Sequence, residues 1–241
     1  MSGSERIVRS FDQELKRLKT MLTTMGGITE NQVAQATQAV LRHDTEAALA
    51  TIGADPRVDD LERDVEHMAI RMLALRQPMA DDLREIVGAL KISAALERVG
   101  DYATNMAKRS MVLNQSTHVF NAQTFNLSGF AQMSDMVQRN LKLIVDALTE
   151  NDTEKALLVW NSDQAIDDVY NSIFRALVTY MMEDPRSITP CTHLLFVAKN
   201  LERIGDKATN IAEILYYSVT GEPLAGPRPK GEPATTRPAS Y

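Results

Sequence analysis

The sequence predicts an all-α protein built as two similar halves, and three observations carry that expectation. Apolar residues recur at three- and four-residue steps through most of the chain, and no segment holds a period of two. Aromatic residues make up only 5% of the 241 positions, while Ala, Leu, Met and charged side chains are plentiful, a balance that suits helices packed on helices. Third, Leu96-Glu97-Arg98-Val99-Gly100-Asp101-Tyr102-Ala103-Thr104-Asn105 returns as Leu201-Glu202-Arg203-Ile204-Gly205-Asp206-Lys207-Ala208-Thr209-Asn210. So tight a duplication implies a two-fold internal architecture.

The elements follow in order. Phe11, Leu15, Leu18, Leu22, Met25, Ile28 and Ala36 form the apolar stripe of one long helix ending near His43. Gly26-Gly27 interrupts that stripe and marks either a weak point or a close helix contact. Asp44-Thr45 caps a short segment from Glu46 to Ile52, and Asp55-Pro56 reads as the cap and first turn of a second main helix. That helix carries Val58, Leu61, Val65, Met68, Met72 and Leu75 and stops before Pro78. A third helix runs from Leu83 through Ile86, Leu90 and Val99 toward Met111, and the polar stretch 114–126 is the expected linker.

After the linker the scheme restarts. Met133, Val137, Leu141, Ile144 and Leu148 make a fourth helix, and Asp152-Thr153-Glu154 repeats Asp44-Thr45-Glu46 at a spacing of 108 residues. Asp167-Asp168 repeats Asp59-Asp60 at the same spacing, whereas the decad returns after 105, so about three residues are missing from the second half near Pro185 and Pro190. Constant order and spacing give three main helices per half. The expected divisions are a first unit over 8–115, a second over 126–219, and a tail over 220–241. The tail holds five of the nine prolines and reads as disordered.

Composition narrows the function classes. A formal net charge of −6 argues against nucleic acid as the main partner, which would need a basic footprint. The single cysteine, Cys191, has no internal disulfide partner, and no stretch approaches ~18 uninterrupted apolar residues. A cytoplasmic location is the expectation. No phosphate-cradling glycine loop and no nucleophile elbow occur, and nothing resembles a catalytic nucleophile with its base. The histidines, 43, 67, 118 and 193, form no ligand cluster, and Met68, Met72, Met181 and Met182 read as core filler.

The repeated motif is the chemical candidate. Glu97 and Asp101 lie four apart on a helix, as do Glu202 and Asp206, which stacks two carboxylates about 6 Å apart on one face. Gly100 and Gly205 clear space beside them. Oxygen-rich clusters of this kind suit hard cations, and iron or zinc can also take carboxylates. Two acids are too few, and the sequence offers Asp60 and Asp64 in the second helix and Asp163 and Asp167 in the fifth as partner pairs at the same spacing. Arg98 and Arg203 support a second reading, a solvated ion-pair face without metal. A ferritin-like di-metal enzyme fits poorly, because such sites use Glu-x-x-His and the residues three beyond Glu97 and Glu202 are glycines.

The doubled L-E-R-[VI]-G-D-x-A-T-N, with Arg76-Gln77-Pro78-Met79-Ala80-Asp81-Asp82-Leu83-Arg84 ahead of its first copy, closely resembles the PhoU family from about Phe11 to Val219. The resemblance implies two tandem, pseudo-symmetric three-helix bundles. It implies a non-enzymatic regulator that restrains the phosphate-starvation response, the Pho regulon, by linking a phosphate ABC transporter, through its ATPase subunit, to a sensor histidine kinase. Membrane association would be peripheral, through partners, and a homodimer or higher oligomer is expected. Multinuclear iron or zinc, or another divalent metal, is implied at E/D-x-x-x-D pairs. These map onto Glu97/Asp101 and Glu202/Asp206, with Asp60/Asp64 and Asp163/Asp167 as partners. The second half lacks the Pro-x-Ala-x-Asp-Leu-Arg stretch, so the first half is expected to hold the better-formed site.

Overall fold

The computed structural model describes residues 3–115 and 127–226, with side chains from residue 10 onward. Most of the expected linker, and residues 227–241 of the expected disordered tail, lie outside the described residues. Among these residues the chain is helical with no strand. The elements are α1 (Gly3–Arg42), α2 (Thr45–Arg76), α3 (Ala80–Gln115), α4 (Ser128–Glu150), α5 (Thr153–Asn161), α6 (Asp163–Glu183), a 3-10 turn (Pro185–Ser187) and α7 (Ile188–Thr220). The bundle α1–α3 forms one half, and α4, α5–α6 and α7 form the other.

The cap predicted at Asp44 is present, and its counterpart in the repeat, Asp152, caps a helix as well. Asp44 accepts the Ala47 N–H at 3.0 Å, and Asp152 Oδ1 accepts the N–H groups of Glu154 and Lys155 at 2.9 and 3.1 Å. These bonds satisfy donors that a helix start leaves open, and they hold both carboxyls below the usual carboxylate range. The second expected start, at Asp55-Pro56, is not a start. Helix α2 passes through Pro56, whose exposed ring meets solvent instead of a neighbouring helix. The asymmetry is reversed in the other half, where no proline occurs at this point but the helix breaks at Ser162. Ser162 donates to the Val159 carbonyl at 2.7 Å there.

The doubled glycine in α1 resolves into two cases. A Cβ on Gly26 would come within 2.6 Å of Val145 on α4, whereas one on Gly27 would meet nothing within 4 Å. Gly26 is therefore a close-contact point between the halves. On the same seam, the Thr37 and Ser134 hydroxyls share a buried 2.7 Å hydrogen bond, and Lys19 donates to Asn151 at 2.9 Å. Contacts that step up α1 and down α4 make the pair antiparallel.

Helices α3 and α7 form the second seam, also antiparallel. Gly88 lies against Ser218 and Ile214, Tyr102 against the Arg203 guanidinium, and Arg109 over the Phe196 ring at 3.9 Å. One apolar core runs through both halves, from Leu18 and Met25 through Leu96 and Val99 to Leu141, Leu201 and Leu215. Each such side chain contributes roughly 1.5–3 kcal/mol on burial. At the far edge of the first bundle, Arg76 ties α2 to α1 through Glu14 at 3.1 and 3.2 Å and Ser10 at 2.8 Å. Met72 and Met68 are buried or partly buried, as expected of filler, but Met182 is 80% exposed and contributes little to the core.

Candidate functional site

The repeated decads lie on α3 and α7 at the middle of the antiparallel seam, where Tyr102 of the first copy meets Arg203 of the second at 5.7 Å. The buried faces of both copies are the same: Leu96, Val99 and Ala103 in one, Leu201, Ile204 and Ala208 in the other. Packing therefore turns both acid pairs toward the flanking helix of their own half, α2 or α6, and leaves Glu97, Asp101, Glu202 and Asp206 partly buried at its margin.

In the first half the helix facing Glu97 and Asp101 does present acids, and they differ from those chosen by spacing alone. Asp60 is exposed and pairs with Arg63, and Asp64 lines a groove of about 480 Å³ between α1 and α2 together with His67 and Arg17. The residues within electrostatic reach of the motif are Asp59 and Glu62, with Asp55 one turn earlier. The spacing of 108 residues carried this information, since it places Asp163 and Asp167 on Asp55 and Asp59. The pair Asp163/Asp167 thus corresponds to a D-x-x-x-D pair in α2 one turn upstream of Asp60/Asp64.

Crowding of these carboxylates shows in their protonation. Burial first, then the neighbouring Asp101, pushes Glu97 up to about 7, with Arg98 opposing, and Asp101 also hydrogen-bonds to it. Burial followed by Asp55 and Asp101 raises Asp59, and burial followed by Asp59 and Glu66 raises Glu62. The Arg98 guanidinium lies between the two motif acids, 3.5 Å from Glu97 and 3.1 Å from Asp101. Among the described residues no three His, Cys, Asp or Glu side chains are gathered closely enough to hold a metal. The arginine side chain is 58% exposed.

The first site nevertheless has the donor chemistry a hard or borderline cation requires. Over Gly100, at the position a Cβ would take, Gln32 Oε1 lies at 3.0 Å and Asp55 Oδ1 at 3.6 Å. Gln32 is 1% exposed, its Nε2 donates to the Thr51 carbonyl, and its Oε1 has no partner; the hydroxyl of Thr104, one turn beyond Gly100 on α3, is buried with none either. Unpartnered buried oxygens beside a carboxylate are costly unless a donor or cation meets them.

The second site has the same frame with different contents. Asp163 is 3% exposed and accepts from Thr209 at 3.1 Å, and Asn140, the counterpart of Gln32, donates to Ser162 at 2.7 Å. The space over Gly205 is filled by Ile166 at 3.0 Å. Tyr170 stands at the position of Glu62, and Lys199, at the position of Ala94, donates to Glu202 at 2.8 Å. Asp167 and Asp206 are partly buried on α6 and α7 and make further contacts of their own.

The PhoU domain model matches residues 22–110 and 130–215, one copy on each bundle. The chain belongs to the PhoU family. Among PhoU relatives, a phosphate-specific transport system accessory protein PhoU homolog of Caulobacter vibrioides (strain NA1000 / CB15N) is 50% identical over 227 residues, which cover 94% of this chain and 97% of that one. A homolog of the same name from Rhizobium meliloti (strain 1021) is 45% identical over 230 residues, 95% of both chains. The crystal structure of PhoU from Pseudomonas aeruginosa superposes with a TM-score of 0.83 at 35% identity, covering 88% of this chain and all of that one. The phosphate transport system regulatory protein PhoU from Streptococcus pneumoniae gives 0.79 at 27% identity, covering 89% and 99%. The chain is thus a PhoU-family accessory protein of a phosphate transport system, with the two-bundle helical fold of that family. Among the described residues no helix is long and apolar enough to cross a membrane.

Proposed function

We propose that this protein is a non-enzymatic, cytoplasmic regulator of phosphate uptake that restrains the Pho regulon when phosphate is plentiful. It does so by coupling the ATPase subunit of a phosphate ABC transporter to a sensor histidine kinase, and it acts as a homodimer. The observation that carries this reading is the full-length similarity, 50% identical over 94% of the chain, to a relative named for the phosphate-specific transport system. Exposed apolar residues support a role in docking. Leu75, Met79 and Leu83 surround the α2–α3 turn, and Met182 and Ile188 surround the matching α6–α7 turn. Deleting the gene is expected to derepress phosphate-starvation genes in phosphate-rich medium; unchanged expression would overturn the proposal.

A divalent metal, iron or zinc by family resemblance, belongs to the same reading. Glu97 and Asp101 would hold it with Asp55 and Asp59, and the cation would offset the repulsion among these acids. The supporting observation is the unpartnered buried oxygen of Gln32, which lies with Asp55 Oδ1 over Gly100. Metal content of the purified protein tests it: wild type is expected to carry metal that Glu97→Ala/Asp101→Ala loses, and equal low content in both favours the metal-free face.

A further inference from the structure

The two halves share one ancestor sequence, so each departure from the repeat at the acid pairs shows what one half needs and the other lacks. Three departures fall at the same place. Glu62 becomes Tyr170, which removes a carboxylate. Val58 becomes Ile166, and the longer side chain occupies the space that Gln32 and Asp55 oxygens occupy over the other glycine. Ala94 becomes Lys199, which brings in an ammonium group one turn before Glu202.

Lys199 does not point at random into solvent. Its Nζ donates to Glu202 Oε1 at 2.8 Å and lies 5.2 Å from the Tyr170 ring centroid, so one new side chain engages both the retained acid and the aromatic that replaced the lost one. Glu202 is 13% exposed at its side chain, and its other oxygen, Oε2, is buried with no partner. The carboxylate is thus held in a partly desolvated place by a single cation covalently part of the chain. In the first half Ala94 supplies no charge, and Glu97 has only the 58%-exposed Arg98.

We infer that Lys199 is the resident cation of the second acid pair, so that this chain takes up a divalent metal in its first half alone. The inference rests on the metal reading of Glu97 and Asp101 given above. A divalent ion approaching Glu202 must displace an ammonium already in hydrogen-bond contact and must do so with one carboxylate fewer than the first half offers. Lys199→Arg retains the cation, and Lys199→Ala/Tyr170→Glu restores the two residues that the first half carries at these positions.

The test is zinc content at saturation, read by metal analysis and calorimetric titration of full-length protein stripped with chelator and titrated with Zn²⁺, with circular dichroism confirming that each variant is helical. Wild type, Lys199→Arg and Glu202→Ala/Asp206→Ala are expected to bind the same amount. Glu97→Ala/Asp101→Ala is expected to lose it, and Lys199→Ala/Tyr170→Glu to bind about twofold more, with Lys199→Ala alone showing a gain if the double variant does not fold. The inference is overturned if Glu202→Ala/Asp206→Ala lowers the wild-type content, or if no folded Lys199→Ala variant gains zinc. A wild type that binds none while the rebuilt variant binds zinc removes the metal reading of the first half and leaves the role of Lys199 standing. Zinc bound by neither removes both.

Discussion

Gly26 and Gly27 are adjacent in sequence and opposite in consequence. A methyl at Gly26 enters the α1–α4 seam against Val145, so Gly26→Ala is expected to destabilise the protein by about 1–3 kcal/mol, the usual cost of overpacking. At the exposed Gly27 the same change meets open space, and the better helix propensity of alanine is expected to stabilise by roughly 0.5–1 kcal/mol. Thermal melts of the two variants should move in opposite directions. Glu97 supplies a second residue-scale prediction. Its folded value near 7 exceeds the ordinary 4.5, so between those values the folded chain keeps a proton that the unfolded chain releases. In chelator-treated protein this group therefore lowers stability as pH rises from about 4.5 to 7 and adds no pH dependence outside that window. Glu97→Gln is expected to gain on wild type across it, by about 2–4 °C in Tm at pH 8 for ~1 kcal/mol, a figure discounted for solvent screening. A constant difference between the two melts from pH 5 to 8 would count against the crowding described for this carboxylate.

At the scale of elements, α2 contains the clearest exception to local rules. Pro56 sits eleven residues beyond the Thr45 start, where a proline costs about 3 kcal/mol relative to alanine and recovers about 0.4–1 kcal/mol by stiffening the unfolded chain. Pro56→Ala is expected to raise stability by roughly 2 kcal/mol, measured by denaturant titration. This exception also marks where the sequence was readable and where it was not. Helix identity followed from apolar spacing, and the cap at Asp44 followed from residue type, because both signals are local. Asp55-Pro56 carries the same local signal as a true start, but Asp55 faces Gly100 and the helix is already capped eleven residues earlier. Asp60 and Asp64 lie away from the motif for a related reason. Spacing of four puts two acids on one face, whereas which face meets α3 depends on the buried row Thr51, Val58, Val65, Ala69 and Met72. That row turns Asp59 and Glu62 toward the motif and Asp60 to solvent. The orphaned Gln32 oxygen had no sequence signal beyond its place 108 residues before Asn140.

For the whole molecule, the relevant feature is that the core does not divide at the boundary between bundles. Leu18 and Leu215 belong to one buried cluster, and both seams, α1 on α4 and α3 on α7, are antiparallel and closely packed. The halves are therefore expected to unfold together. Trp160 is the only tryptophan and reports on the second half, where its Nε1–H donates to Glu213 at 3.1 Å, whereas far-UV circular dichroism reports on all helices. Coincident denaturation curves from the two probes are the expected result, and a fluorescence transition separated from the dichroism transition would mean that the bundles are independent.

Cys191 lies at 0% exposure near the start of α7, and burial raises its thiol above the ordinary range. As the chain's one sulfhydryl, it will react with a thiol reagent only while the packing around α7 is open. Its labelling rate in native buffer is thus a built-in clock for how often the molecule opens. Against that silent background, a cysteine placed at any exposed position would accept a fluorophore cleanly, with no native residue to remove first.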